Sequence, residues 1–187
     1  MELLHSIRSD YSGTSAIFEI KINDTNNVYM RADRTSCLND ERFVTIVNAK
    51  KFLNLWSLEP NNFNSELSKG KISSWRNDRK FHSATRGFSQ GFNNPVPLAK
   101  VVCKEHFEQQ NIYKKRLLRR SKIVGVKDIK FNYIDFINGI TRTIWLLSQE
   151  VEYFPVECGV NDGIESLAKE CGINDEYISI NKLTSRT

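Results

Sequence analysis

The sequence predicts a mixed sheet with helices in alternation, a fold of the α/β or α+β class. Three observations predict it. Segments of β-branched and aromatic residues recur along the chain, runs with helical patterning stand between the later ones, and Gly, Asn, Asp and Pro punctuate them where turns are needed. With 187 residues, 40% of them hydrophobic, and 11 Phe, 6 Tyr and 3 Trp, the chain suits one domain with an ordinary core, disordered only over its last few residues, 184–187.

The elements follow in order. Residues 15–22 read as a strand, 24–27 (Asp-Thr-Asn-Asn) supply turn chemistry, and 28–32 read as the returning strand of a hairpin. Residues 42–47 form a third strand, rich in β-branched residues. Residues 50–58 read as a short helix or an irregular crossing, and 60–64 as a loop. A polar helix spans 75–86, then a Gly-rich loop 87–91, then a strand 95–103 with prolines at its entry, where a lost N–H is tolerated. Residues 104–120 read as a helix, and a strand region runs from 124 to 136. A core helix covers 141–149 and residues 154–158 return as a strand. A short helix over 162–170 ends at Gly172 in the C′ role.

The most informative segment runs from Phe136 to Leu147, followed by Phe154 to Glu157. Gly139 permits a sharp turn between a strand and the apolar run Ile144-Trp145-Leu146-Leu147. Strand, glycine turn and helix start make an anion site. Unpaired N–H groups and the positive end of the helix dipole point at the turn, and Arg142 can grip phosphate oxygens through two donors. A turn whose Arg is merely solvated has the same local sequence.

The formal net charge of +5 permits a polyanionic partner, and its distribution says more than its size. Lys114, Lys115, Arg116, Arg119, Arg120 and Lys122 put six cations in nine positions with no acid among them, which points to nucleic-acid phosphates. Tyr113 beside them either stacks on a base or belongs to the core. Cys37, Cys103, Cys158 and Cys171 lack C-x-x-C spacing and read as buried reduced thiols. His5, His82 and His106 make no metal motif in sequence. No apolar run approaches the roughly 20 residues that span a bilayer, and no secretory signal opens the chain.

The order strand, Gly-x-x-Arg, apolar helix, aromatic-Pro-Val-Glu resembles the signature of the ParB/sulfiredoxin superfamily, with Gly139, Arg142 and Pro155 at matching positions. That resemblance implies nucleotide phosphates held at Asn138, Gly139, Thr141 and Arg142. Lys80 and Ser83 fit the superfamily's Lys-x-x-Ser helix before a Pro-containing strand, which implies that they contact the same nucleotide. The sulfiredoxin cysteine position falls on Ile140, so reduction of a sulfinic acid is not expected.

A narrower resemblance, carried by residues 87–99 and by Asn138 to Arg142, is to the plasmid fertility inhibition factors. It implies a ParB/sulfiredoxin-like mixed sheet over 44–158, after an N-terminal β extension (1–43, whose hairpin instead extends the main sheet if it pairs there) and before a C-terminal helix and tail (159–187). It implies ATPase and DNase activity that blocks conjugative or T-DNA transfer through a type IV secretion system by degrading the transferring strand. ATP and Mg²⁺ are the expected cofactors. The expected partners are DNA and secretion coupling proteins, in the bacterial cytoplasm or peripheral at the inner membrane. Phosphodiester hydrolysis needs a base or a metal. Asp135, Glu150 and Glu157 are the carboxylates nearest in sequence, and Glu157 joins Arg142 as a catalytic candidate. The loop 86–94, with Gln90 and Asn94, either closes over the nucleotide or satisfies its own backbone. The alternatives are a non-catalytic nucleotide- or DNA-binding adaptor and a protein that occludes the coupling machinery.

Overall fold

The computed structural model describes residues 3–11, 13–34, 41–61, 63–116 and 119–185, with backbone alone at 115–116 and 119–122. Its elements are β1 (Leu4–Asp10), β2 (Gly13–Asn23), β3 (Asn26–Asp33), β4 (Arg42–Asn48), α1 (Ala49–Ser57), α2 (Ser65–Ser68), α3 (Ile72–Arg76) and α4 (Phe81–Ser89). After a 3₁₀ turn come β5 (Val96–Pro97), β6 (Ala99–Arg116), β7 (Arg119–Asn138), α5 (Ile140–Ser148), β8 (Tyr153–Gly159), α6 (Ile164–Cys171), β9 (Ile178–Ser179) and α7 (Ile180–Thr184).

The fold is α+β, with two mixed sheets. One has the order β1-β2-β3-β5, the other β7-β6-β8-β4-β9. Neighbours are antiparallel except β3 with β5 and β6 with β8. The N-terminal hairpin therefore does not extend the main sheet. Phe18 and Met30 of the first sheet, Val44 and Val156 of the second, Phe52 and Trp56 of α1 and Ile144 of α5 share one buried cluster.

Local chemistry accounts for the elements that frame the site. Asn48 caps α1 by accepting the N–H groups of Lys50 and Lys51 at 3.1 Å each, and Phe52, Leu55 and Trp56 recur on its buried face. Every residue from Thr143 to Ser148 in α5 is buried: Ile144 to Leu147 are apolar, and the Thr143 and Ser148 hydroxyls donate to the Gly139 and Trp145 carbonyls. β5 is an edge strand, which suits Pro97 because no neighbour needs its missing N–H.

Several expectations need correction. Residues 104–120 are not a helix. Residues of β6 pair antiparallel with β7 from Lys100 with Asn138 out to Arg116 with Arg119. Lys, Glu and Gln suit a helix locally, but pairing with the β-branched and aromatic residues of β7 decides the state. The expected helix 75–86 is divided between α3 and α4, with Asp78 Oδ1 accepting the Lys80 N–H at 2.8 Å in the turn between them. The Gly-rich loop is mostly helix, since α4 runs to Ser89. Gly172 has φ of −69°, so it is extended and not a left-handed C′ residue. Thr184 is buried within α7, its hydroxyl donating to the Ile180 carbonyl at 2.8 Å. β1, α2, β9 and α7 carried no sequence signal that singled them out.

Candidate nucleotide cleft

The site forms where the chain passes from one sheet to the other. β5 belongs to the first sheet and β6 to the second, so the carbonyls of Pro97 and Leu98 lie at the crossover. Leu98 is buried, and a buried backbone carbonyl needs a donor. Arg142 supplies it: Nη1 donates to Pro97 O at 2.5 Å and to Leu98 O at 3.1 Å, while Nη2 donates to Asn138 Oδ1 at 3.3 Å. The guanidinium thus ties the start of β6 to the end of β7. One face of the fork is committed to the protein, so Nη2 and the helix start are what remain for an anion. Burial, with Arg31 adding to it, lowers Arg142 from its ordinary value, and Glu157 acts in the opposite direction.

Gly139 earns its place twice. Its φ is +105°, and a Cβ there would come within 2.7 Å of Ala99 Cα. The first bond of α5 runs from Thr143 N to Gly139 O at 3.1 Å, which leaves the N–H groups of Ile140, Thr141 and Arg142 at the open end of the helix. Thr143 turns its hydroxyl back to the same carbonyl, at 3.1 Å.

α4 closes the other wall. Trp145 Nε1 donates to Thr85 Oγ1 at 3.0 Å, and the Trp145 ring stacks on Phe88 at 4.2 Å between centroids. These contacts lay α4 along α5. Lys80, Ser83, Ala84 and Gly87, one helical face, then line a cleft of about 440 Å³ with Val96, Pro97, Thr141 and Arg142. An adjoining hollow of about 350 Å³ is lined by Lys80 and by the turn from Phe136 to Arg142. Lys80, Ser83, Asn138, Gly139, Thr141 and Arg142 are thereby brought together. Among the described residues, the Lys80 ammonium and the Ser83 and Thr141 hydroxyls have no hydrogen-bond partner.

The other candidates lie elsewhere. Glu157 is 5% exposed, with Oε1 at 3.4 Å from Arg42 Nε and 3.3 Å from Lys100 Nζ. Burial raises its carboxyl above the ordinary range, and Lys100 and Arg42 pull it back. Lys100 pairs in register with both Asn138 and Glu157. Two strand spacings, roughly 10 Å, therefore separate Glu157 from the turn. Arg42 also reaches Asp162 at 3.2 Å. Arg42 and Lys100 gave no sequence signal, because their role depends on strand pairing. Asp135 pairs with Lys104 at 3.3 Å, and Glu150 lines a different hollow with Lys21 and Tyr153. Gln90 and Asn94 line neither part of the cleft, and Arg8 holds the segment between them, donating to Phe92 O at 2.6 Å and to Asn93 O at 3.2 Å. Lys114 is exposed, and the side chains of Lys115, Arg116, Arg119, Arg120 and Lys122 lie outside the described residues.

Cys103, Cys158 and Cys171 are buried free thiols, and burial pushes Cys103 up to about 11 and Cys158 to about 12. Cys37 lies outside the described residues. Among the described residues no group of three or more His, Cys, Asp or Glu side chains could hold a metal ion, and no helix is long and apolar enough to cross a membrane.

In this α+β fold the open start of α5 and the Lys80 and Arg142 side chains share one cleft. Residues 44–172 match the family model of the Plasmid Fertility inhibition factor, and the chain belongs to that family. A solved structure, of Oncogenic Suppression Activity Protein, described as a plasmid fertility inhibition factor and crystallised as a gold(I) cyanide derivative, has the same fold. The likeness covers 98% of this chain and 83% of that one, at 22% identity and a TM-score of 0.68. No curated protein matches.

Proposed function

We propose that this fertility inhibition factor binds the phosphates of ATP in the cleft and couples ATP hydrolysis to degradation of the transferring DNA at a type IV secretion system. The observation that carries the reading is the convergence of Lys80, Ser83, Thr141 and the open start of α5 on one cleft. Lysine supplies a point charge, the hydroxyls and N–H groups donate to phosphate oxygens, and Arg142 orients the turn. Among the described residues the cleft lining offers no carboxylate, so Mg²⁺ would be held there by the nucleotide's own phosphates, where it would neutralise their charge. For hydrolysis, water attacks the phosphorus and gives up a proton while the P–O bond to the leaving group breaks, its electron pair going to the oxygen of ADP or of the cut DNA strand. Glu157, its carboxyl raised by burial, is the base proposed for this step; it stands roughly 10 Å from the turn, with Lys100 between it and Asn138, so the proton reaches it through bridging water and not by direct contact.

One observation favours a second reading. Glu157 is ion-paired on both sides, and Ile140 stands at the position of the sulfiredoxin cysteine. On that reading the chain keeps nucleotide or DNA binding and occludes the coupling machinery without turnover.

Phosphate release and cleavage of labelled DNA separate the two, measured on purified protein with Mg²⁺ or Mn²⁺ beside Lys80→Ala and Glu157→Gln. Turnover lost in both variants supports hydrolysis. ATP binding that Lys80→Ala weakens, with no turnover in any sample, selects the adaptor.

A further inference from the structure

β6 and β7 do not end with the sheet they belong to. β6 is paired with β8 only from Ala99 to Val101, while its pairing with β7 continues to Arg116 and Arg119. Beyond Cys103, among the described residues, the two strands form a ribbon with no third strand paired to it. The ten steps from Lys104 to Lys114, at about 3.4 Å each, give an arm of about 35 Å before the tip. A two-stranded ribbon is marginal on its own, and an arm this long that also exposes Phe107, Ile112, Tyr113, Ile123, Val124 and Val126 has surface to give to a partner.

The charge of the arm identifies the partner's chemistry. Residues 104–133 contain nine Lys and Arg and three Asp and Glu, a net charge of +6, against +5 for the whole chain. The rest of the protein is therefore close to neutral, and its cationic character resides in this arm. Two copies of an arm so charged repel one another, whereas a polyanion is attracted. The aromatic rings narrow the choice. Phe107 and Tyr113 occupy positions of the same parity in β6, and the register shift between Ile112 and Tyr113 adds its extra residue, Val124, on β7, so the two rings share a face; they are 64% and 59% exposed, with the Lys130 ammonium 5.3 Å from the Phe107 ring centroid. Exposed rings on a cationic surface stack on unpaired bases, whose faces a duplex conceals. Lys114 and Lys127 project from the other face, both exposed and, among the described residues, without an ion-pair partner. The ribbon is only two strands wide, so their flexible stems reach round its edge to a backbone lying there.

We infer that the ribbon formed by residues 104–116 and 119–133 is an arm that binds single-stranded nucleic acid, stacking bases on Phe107 and Tyr113 and meeting phosphates with Lys114 and Lys127. This rests on the proposed action on a transferring DNA strand and names the element that holds it. The arm is also rooted in the cleft, because Arg142 bonds to Leu98, just before β6, and to Asn138, the last residue of β7.

Fluorescence anisotropy tests this with the full-length protein, a labelled single strand and the same sequence as a duplex, over a salt series. Phe107→Ala and Tyr113→Ala are each expected to weaken single-strand binding about tenfold with an unchanged salt slope. Lys114→Ala with Lys127→Ala is expected to flatten the slope of log K against log salt by about 0.7 for each phosphate no longer neutralised. All four positions are exposed, and thermal unfolding checks that each variant folds. Binding and slopes unaltered in every variant, tighter binding to the duplex, or no binding by the wild type would each overturn the arm as a single-strand site. ATP binding measured on the same samples keeps the two ideas apart. ATP bound without arm-dependent DNA binding sinks the arm and leaves the cleft, while arm-dependent DNA binding without ATP binding does the reverse.

Discussion

The Trp145 indole N–H donates to the Thr85 hydroxyl across 3.0 Å, joining helices whose partners stand 60 residues apart in the chain. That bond and the stacking of Trp145 on Phe88 hold α4, with Lys80 and Ser83, against α5. Trp145→Phe keeps a ring for stacking and removes the donor. It is expected to cost roughly 0.5–1.5 kcal/mol in stability and to weaken ATP binding by loosening the α4 wall. Urea unfolding and calorimetric titration check this. Stability lost with ATP affinity unchanged would mean that α4 is not a wall of the binding site.

Lys80→Ala and Ser83→Ala are the cleanest probes of the cleft, because neither side chain has a hydrogen-bond partner in the protein among the described residues. Little change in unfolding temperature is expected. ATP affinity should fall about ten- to a hundredfold for Lys80→Ala, which removes a charge-assisted bond of roughly 1.5–3 kcal/mol, and less for Ser83→Ala. Equal affinities in wild type and both variants would place the phosphates elsewhere.

Arg142→Ala is expected to behave differently from Lys80→Ala. Its guanidinium holds the Pro97 and Leu98 carbonyls and Asn138, so the variant should lose roughly 1.5–3 kcal/mol of stability as well as ATP affinity. Arg142→Lys keeps the charge but not the planar fork, and should recover only part of either loss. Equilibrium unfolding of the two variants measures the structural share. Wild-type stability in Arg142→Ala would show that the crossover carbonyls need no cap.

Gly139→Ala tests the turn itself. The added methyl meets Ala99 at a φ of +105°, with backbone at 2.7 Å, so either α5 or β6 must shift. A loss of about 1–3 kcal/mol is expected, together with impaired ATP binding. A variant as stable as the wild type would show that the turn tolerates a Cβ.

Glu157 carries a pH signature. Burial raises its carboxyl in the native state, so the folded protein holds that proton more tightly than the unfolded chain. Its contribution to stability therefore falls as pH rises from the ordinary glutamate value, about 4.3, to the raised native value, and is level on either side. The stability of wild type minus that of Glu157→Gln should decrease across that window. Urea unfolding of both proteins over a pH series reads it directly. A difference that grows with pH would mean that Lys100 and Arg42 outweigh burial.

The sequence by itself determined what depends on neighbours in the chain. The hairpin of β2 and β3, the strand β4, the turn at Gly139 and the buried helix α5 were all legible, because side-chain alternation, a left-handed glycine and an unbroken apolar run act over a few residues. The tertiary structure decided the rest. The segment 104–116 has a composition that suits helix or strand, and its state was settled only by pairing with β7. The burial of Glu157 between Arg42 and Lys100 follows from strand order, since β4, β8 and β6 adjoin in the sheet while lying far apart in the chain. The same holds for the cleft. Lys80 and Ser83 could be named from their spacing, but a distance between α4 and the Gly139 turn is a property of packing, carried here by Trp145 on Thr85 and Phe88.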